Sequence, residues 1–489
     1  MKRILLFSVL IMVIAAGCRK IEIDGDDNNP TPTPNPNPNP STGQSIILRG
    51  RIDSNMTLIP GNTYTMQGLV YIMPNRTLTI QPGVEIKASF TGADVAALII
   101  TRGARINASG TASSPIVFTS GNPRPNSGDW GGIVICGRAP VNRSDVGPSS
   151  IIVEGGVNNA DNLGVGGGAD EADSSGVLRY VRIEYAGYAF NPDQEINSLT
   201  MAGVGNKTVI EYVQVSYAKD DAFEWFGGTV NCRYLVSYKT QDDDFDSDNG
   251  YSGSVQFGLV FRDSSIADIS NSEAFESDND RNGTENPPQT SAVFSNVTAI
   301  GPRATRANIG NPLYLAGAHL RRNTSVSIYN SVFMGWPQGL LIEDRGGLVS
   351  DGLFSSDSIL RFAGNLITGT AIPLNYVTGT GSTTDSSIIN PFLRRSFYRN
   401  AILDNNEQAG YTRPFDYGNP DFTPFASPNL AIPGFGSIPN PIVGAANVNF
   451  TDARITARNN FIRTVNFRGA IGASGEDVSW YRGWTRFGN

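Results

Sequence analysis

The sequence predicts an all-β chain wound as a parallel β-helix, set behind a secretory leader and an extended linker. Composition is the first reason: 54 Gly and 29 Pro among 489 residues, with only 17% charged residues, favour turns and strands over helices. Patterning is the second. Short apolar runs such as Leu78-Thr-Ile80, Ala97-Leu-Ile-Ile100, Ile116-Val-Phe118 and Ile133-Val-Ile135 are separated by Gly, Pro, Asn or Asp, and no stretch sustains a helical period of apolar residues. Internal repetition is the third, and it favours a solenoid over a tandem of sandwiches or a propeller.

The chain begins with Lys2 and Arg3 ahead of the apolar run Ile4 to Ala16, which is too short for a mature membrane span but suits a signal-peptide core. The run ends in Ile14-Ala15-Ala16-Gly17-Cys18. This resembles a bacterial lipobox, so residues 1–17 are expected to be removed and Cys18 to carry lipid, anchoring the protein to the outer membrane. Glu22, Asp24, Asp26 and Asp27 follow closely. An acidic stretch at that place resembles the surface-export signal of Bacteroidota lipoproteins and implies an extracellular orientation. Residues 18–44 then form a linker with Pro at alternate positions from Pro30 to Pro40. Alternating Pro fixes φ and removes donors, giving a semi-rigid spacer of about 3 Å per residue.

Residues 45–489 read as one β-rich domain. Leu178-Arg-Tyr-Val-Arg-Ile-Glu-Tyr-Ala186, Ile210-Glu-Tyr-Val-Gln-Val-Ser-Tyr-Ala218 and Asn231-Cys-Arg-Tyr-Leu-Val-Ser-Tyr-Lys239 share one pattern, with irregular spacing between their closing tyrosines at 185, 217 and 238. Asn296-Val297 and Asn330-Ser-Val332 resemble degenerate later copies. A second series alternates with these: Leu199-Thr200, Phe223-Glu224, Phe245-Asp246, Phe275-Glu276, Leu320-Arg321 and Ile342-Glu343. If each pair belongs to a strand stacked on its equivalent in the next coil, the apolar members pile inward and their neighbours outward.

Several segments together carry a family resemblance: Leu78-Thr-Ile-Gln-Pro-Gly-Val-Glu-Ile-Lys87, Gly110 to Ser120, Gly128-Asp-Trp-Gly-Gly-Ile-Val-Ile135, Gln241 to Gly250, Asn466-Phe-Arg-Gly-Ala-Ile-Gly-Ala473 and Trp480 to Phe487. They are similar to a family of Bacteroidota surface lipoproteins with a right-handed parallel β-helix domain and a characteristic C-terminal end, here a cap. The resemblance implies fold and location and carries no activity with it.

The formal net charge of −8 argues against nucleic acid as a partner, since phosphate binding needs clustered Lys and Arg. A single histidine, His319, argues against His-rich metal sites. Carboxylates are the richest chemistry. Asp220-Asp221-Ala-Phe-Glu224, Asp242-Asp243-Asp244-Phe-Asp246-Ser-Asp248 and Phe275-Glu276-Ser-Asp278-Asn-Asp280 would place Glu224, Asp246 and Glu276 at equivalent outward positions. Strands lie about 4.8 Å apart, where two full charges repel by roughly 3 kcal/mol at an effective dielectric near 20. A bound cation, a counter-charge such as Arg321, or solvation must offset this. Glu224, Asp244, Asp246, Glu276 and Asp278 are therefore candidate ligands for Ca²⁺, the hard cation suited to oxygen donors. Trp225, with Trp130 and Trp336, is a candidate to stack on a sugar ring, and Arg321 a candidate ligand contact.

Three functional classes follow. The first is a non-catalytic surface β-helix that binds a glycan or another envelope component. The second is a Ca²⁺-assisted polysaccharide lyase or glycoside hydrolase, with Arg262, Arg321 or Arg322 as the lyase base. The third is a structural adhesin or spacer. The Asn-Thr-Asp and Gly-His-Gly signatures of polygalacturonases are absent. Cys136 and Cys232 sit in apolar strand contexts and are expected to be buried, with a disulfide left open by the oxidising compartment. For the anchor, Cys18→Ala should abolish incorporation of a metabolic acyl probe and release the protein from the membrane. Replacing Glu22, Asp24, Asp26 and Asp27 by Ala should remove its accessibility to external protease, and unchanged accessibility would deny the acidic stretch a sorting role.

Overall fold

A computed structural model describes residues 42–191, 194–344, 360–378 and 393–488. The expected leader, Cys18 and nearly all of the linker lie outside the described residues. Between Ser45 and Leu403 the described residues wind as a parallel β-helix, with 27 strands joined in one sheet system, and antiparallel hairpins and short helical turns follow it. Each coil contributes to three stacked sheets. In one coil, the strand Gly176–Glu184 serves two of them, pairing first with Arg105–Ser109 and then, past a corner, with Ile116–Ser120, while Leu199–Ala202 pairs in the third with Gly132–Cys136. Among the described residues helix is confined to short turns such as Ala453–Thr456.

The repeated tyrosines mark the corner of the coil. Tyr180, Tyr212, Tyr234 and Phe257 all adopt positive φ, from 51° to 64°, as do Asn296 and Asn330 after them. Bulky residues rarely take this left-handed conformation. Here it breaks the strand between two sheets at the same place in each of these coils, and the side chains it turns outward stack: Tyr180, Tyr212 and Tyr234 lie 4.4 Å apart in nearly parallel pairs, and Tyr234 lies 5.1 Å from Phe257. The C-terminal segment runs back along this column, with Trp484 edge-on to Tyr180 and Tyr212 and Trp480 against Tyr234. The second tyrosine column is shorter than the pattern suggests. Tyr185 stacks on Tyr217, but the register pairs Ser216 with Tyr238, so Lys239, not Tyr238, follows Tyr217.

The interior series runs as expected through most of its length. Leu199, Phe223, Phe245 and Phe275 occupy one register position on successive coils, and all four are buried. The next step departs from the expectation: Glu276 pairs with His319 and Ser277 with Leu320, so Arg321 lies two residues beyond the place assigned to it. Because strand side chains alternate with period two, a slip of two keeps every residue on its face. Both cysteines are buried and free. Cys232 belongs to the interior cluster and Cys136 to an apolar cluster outside the third sheet, so they lie on opposite sides of the coil wall and do not pair.

Phe245 is fully buried and within 6.1 Å, centroid to centroid, of Phe223, Phe275 and Phe294. Phe245→Ala is expected to cost roughly 3 to 5 kcal/mol through lost burial and the residual cavity. Hydrogen exchange should accelerate first in the strands Phe223–Phe226, Phe245–Asp248 and Phe275–Ser277.

Candidate functional site, an acidic face on the third sheet

The outer face of the third sheet changes character along the helix. Over its first coils it presents Tyr71, Ile99, Val134, Cys136, Ala202 and Phe226, which are covered by Val141, Ile151, Val153, Val157 and Leu163 from a long excursion between coils. Beyond that cover the same face becomes polar. Its central row reads Thr200, Glu224, Asp246, Glu276, His319 and Leu341, each hydrogen-bonded in register to the next coil's strand.

A second acidic row stands at the turn before these strands. The Asp243 N–H donates to Asp221 Oδ1 at 2.9 Å and the Glu273 N–H donates to Asp243 Oδ1 at 2.6 Å, so each carboxylate ties down the following coil. The two rows bring Asp221, Glu224 and Asp246 together, with one oxygen of each lying within 4.8 Å of the others. Asp220, Asp221 and Asp242 form an adjoining triad on the same criterion. None of Asp220, Asp221, Glu224, Asp242, Asp243 and Asp246 has an ion-pair partner within 4.0 Å among the described residues.

Uncompensated carboxylates in a covered place resist ionisation. Burial pushes the Asp246 carboxyl well above its ordinary range, and repulsion from Glu276, Asp248 and Asp278 adds to it. Glu224 is raised by burial and then by Glu154, Asp246 and Asp221. Glu154, carried in by the excursion, is pushed by burial to about 7. Asp246 Oδ1 is buried with no hydrogen-bond partner. So are Asn197 Oδ1 and Thr200 Oγ1, on residues only 1% and 0% exposed. Asn197 uses its amide to donate to Glu224 and Glu154, and Thr200 sits beside Glu224 in the row.

The other end of the face is internally neutralised. Arg321 donates to Glu276 and, at 2.9 Å, to Asp278, and Arg322 reaches Asp278 at 2.6 Å. His319 is held between Glu273 and Glu343, at 3.0 Å from each. Burial alone would lower its pKa, but the hydrogen bonds to Glu273 and Glu343 outweigh that and raise it to about 9, so the ring is an imidazolium at neutral pH. Glu276 is pushed up by burial to about 7 against the pull of Arg321.

Of the residues singled out in the sequence, the face gathers Glu224, Asp246, Glu276 and Arg321, with Asp278 at its edge. Two lie elsewhere. Asp244 precedes the strand that starts at Phe245, so strand alternation does not govern it. It turns into a corner where Arg262 Nε donates to it at 2.8 Å and Ser237 Oγ also donates. Trp225 alternates with Glu224 and therefore points inward, where it is fully buried and stacks 5.2 Å from Tyr251. It is core, not a platform for sugar. Trp130 and Trp336 are buried as well, donating to the carbonyls of Glu184 and Ala299.

Comparison with known proteins places this architecture. A family model described as a pectate-lyase-like β-helix domain matches residues 50–384, more than half of the chain and all of the acidic face. The chain belongs to that family. No curated protein and no solved structure shows a significant match. In this pectate-lyase-like β-helix, sequence reasoning missed Asp221, Glu154, Thr200 and Asn197 as members of the site, and the role of His319 between Glu273 and Glu343. The acidic run held a signal for Asp221. Glu154 and Asn197 are brought in by loops and left none.

The raised carboxyls set the sign of a pH dependence. Glu154 and Glu276 move from 4.5 to about 7 on folding, so the folded chain holds protons that the unfolded chain has released. The contribution of these two carboxyls to stability in chelator is full below about pH 4.5 and is lost as pH rises through about 7. His319, raised from 6.5 to about 9, continues the decline in that window. Melting temperature in EDTA should fall from pH 5 to 7 and again to 9, and His319→Gln should flatten the second limb. A melting temperature that rises from pH 5 to 7 would contradict the assignment.

Proposed function

We propose that the protein is a lipid-tethered surface β-helix whose acidic face binds Ca²⁺ and which engages an extracellular saccharide or envelope component without cleaving it. The observation that carries the cation reading is Asp246 Oδ1, buried and without a partner inside the Asp221–Glu224–Asp246 triad. Burying a carboxylate oxygen unpaired is costly, and a cation held by several oxygens turns the mutual repulsion of the triad into coordination. The donor set fits a hard cation: carboxylates, with the buried oxygens of Thr200 and Asn197 alongside, and neither sulfur nor imidazole in the triad. Bound there, Ca²⁺ would supply local positive charge to an otherwise acidic face, giving an anionic or hydroxyl-rich ligand a point of attachment.

The family is compatible with polysaccharide binding and with lyase activity, and the disposition of the basic groups favours binding. Arg262 is wholly buried against Asp244. Arg321 and Arg322 are engaged by Glu276 and Asp278, and His319 is fixed between two carboxylates. A lyase base must be free to accept a proton, and each of these side chains is committed to neutralising the face. Attachment through Cys18, facing outward from the outer membrane, completes the reading.

Calcium titration tests it. A ligand that binds only the folded state stabilises by RT ln(1 + [L]/Kd), about 2.7 kcal/mol at a hundredfold excess over Kd. Millimolar Ca²⁺ should therefore raise the melting temperature at pH 7 and EDTA should reverse the rise. Asp246→Asn should abolish most of that response, while Glu476→Gln, on an exposed residue remote in sequence, should keep it. No heat of binding at millimolar Ca²⁺, with melting indifferent to EDTA, would refute the cation site.

A further inference from the structure

A second surface, on a different sheet, has the opposite electrostatic character. Three successive coils, through Glu85–Ala88, Ile116–Ser120 and the second half of Gly176–Glu184, stack in register, with Glu85 over Val117 over Arg182 and Lys87 over Thr119. The middle coil carries only the small Val117 and Thr119 where its neighbours carry long charged side chains, which leaves a trough. The segment Asn122–Ser127 and Arg486 complete the lining of an open groove of about 760 Å³.

At one end of the groove stands the Tyr185–Tyr217 stack, with ring centroids 4.9 Å apart and planes 3° from parallel. Lys239 and Tyr238 close the stack on the Tyr217 side. On the Tyr185 side no further ring follows among the described residues, because continuing the register puts Ser120 beneath it. The half-buried Tyr185 ring thus lines the groove.

The groove is basic on a chain of net charge −8. Lys87, Arg124, Arg182 and Arg486 line it against Glu85 and Glu184. Arg182 is paired with Glu184 at 3.1 Å and Lys87 with Glu85 at 3.7 Å. Arg124 and Arg486 are exposed and have no ion-pair partner among the described residues. The backbone of Arg486 is anchored: its main-chain N–H donates to Gln214 Oε1 at 2.8 Å, and Gln214 Nε2 donates to its carbonyl at 2.7 Å, from a fully buried amide.

We infer that this groove is a binding site for an anionic saccharide, with a sugar ring against the face of Tyr185 and its acidic substituent between Arg124 and Arg486. The apolar C–H face of a pyranose matches a flat aromatic ring that keeps a polar edge in water, and guanidinium forks suit carboxylate and sulfate alike. Two unpaired guanidiniums beside an open ring favour this class over a neutral glycan. The site does not depend on the cation face and uses none of its residues.

Isothermal titration of the full-length protein in EDTA, where the cation face is silent, tests the inference. A hyaluronan tetrasaccharide supplies carboxylate alone, a heparin tetrasaccharide supplies sulfate with carboxylate, and cellotetraose is the neutral control. At least one acidic probe should bind saturably, at least tenfold tighter than cellotetraose, and which one binds identifies the acidic group. Arg486→Gln and Arg124→Gln should each weaken binding by about tenfold. Tyr185→Asn, chosen because Asn tolerates the positive φ of 65° at this position, should do the same with melting temperature retained. Absence of binding by both acidic probes, equal binding of cellotetraose, or wild-type affinity in all three variants would overturn it. Each of these results leaves the calcium reading standing, since that is read from Ca²⁺ titration alone.

Discussion

Everything in this molecule follows from strands of successive coils being hydrogen-bonded in parallel register, so that each side chain has its counterpart from the next coil as its nearest neighbour. Stacking like on like is favourable for apolar and aromatic groups. The Leu199, Phe223, Phe245, Phe275 column fills the interior, and Tyr180, Tyr212 and Tyr234 stack outside at 4.4 Å. The same constraint is unfavourable for carboxylates, which repel most strongly at that spacing. A β-helix that repeats an acid on adjacent coils must offset the repulsion or hold its acids protonated.

The third sheet shows two answers on one face. Over Glu276 and Asp278, Arg321 and Arg322 supply charge directly, and an imidazolium at His319 serves Glu273 and Glu343. Over Asp221, Glu224 and Asp246 no side chain among the described residues does so within 4.0 Å, and the carboxyls rise instead. That asymmetry, more than the number of acids, distinguishes a candidate cation site from a solvated acidic ladder. The buried Asp244, by contrast, is matched: Arg262 donates from its guanidinium to Asp244 and to a backbone carbonyl of the same corner.

The two candidate surfaces differ in how they are built. The cation face comes from repeated residues within strands, completed by Glu154 and Asn197 from outside the repeat. The basic groove comes from an interruption of repetition, where Val117 and Thr119 are small, the tyrosine stack ends, and a segment from the far C-terminus supplies Arg486. Gln214 and Arg486 are far apart in sequence yet joined by two hydrogen bonds, so the C-terminal segment is part of the groove wall as well as a cover for the tyrosines.

The sequence by itself determined the solenoid, the inward phenylalanine column and the outward row of Glu224, Asp246 and Glu276. These are properties of period-two alternation and of repetition along the chain, which need no knowledge of what packs against what. Tertiary structure decided the rest. Asp244 left the row because strand alternation begins only at Phe245, and Trp225 became core because the parity that sends Glu224 outward sends its neighbour in. His319, not Arg321, stands opposite Glu276 in the register, while Arg321, two residues further on, reaches back to donate to Glu276. Glu154, Asn197 and Arg486 reach their sites through an excursion, a turn and a returning terminus, and the positions where such segments land are set by packing on the finished coil, which no local pattern encodes.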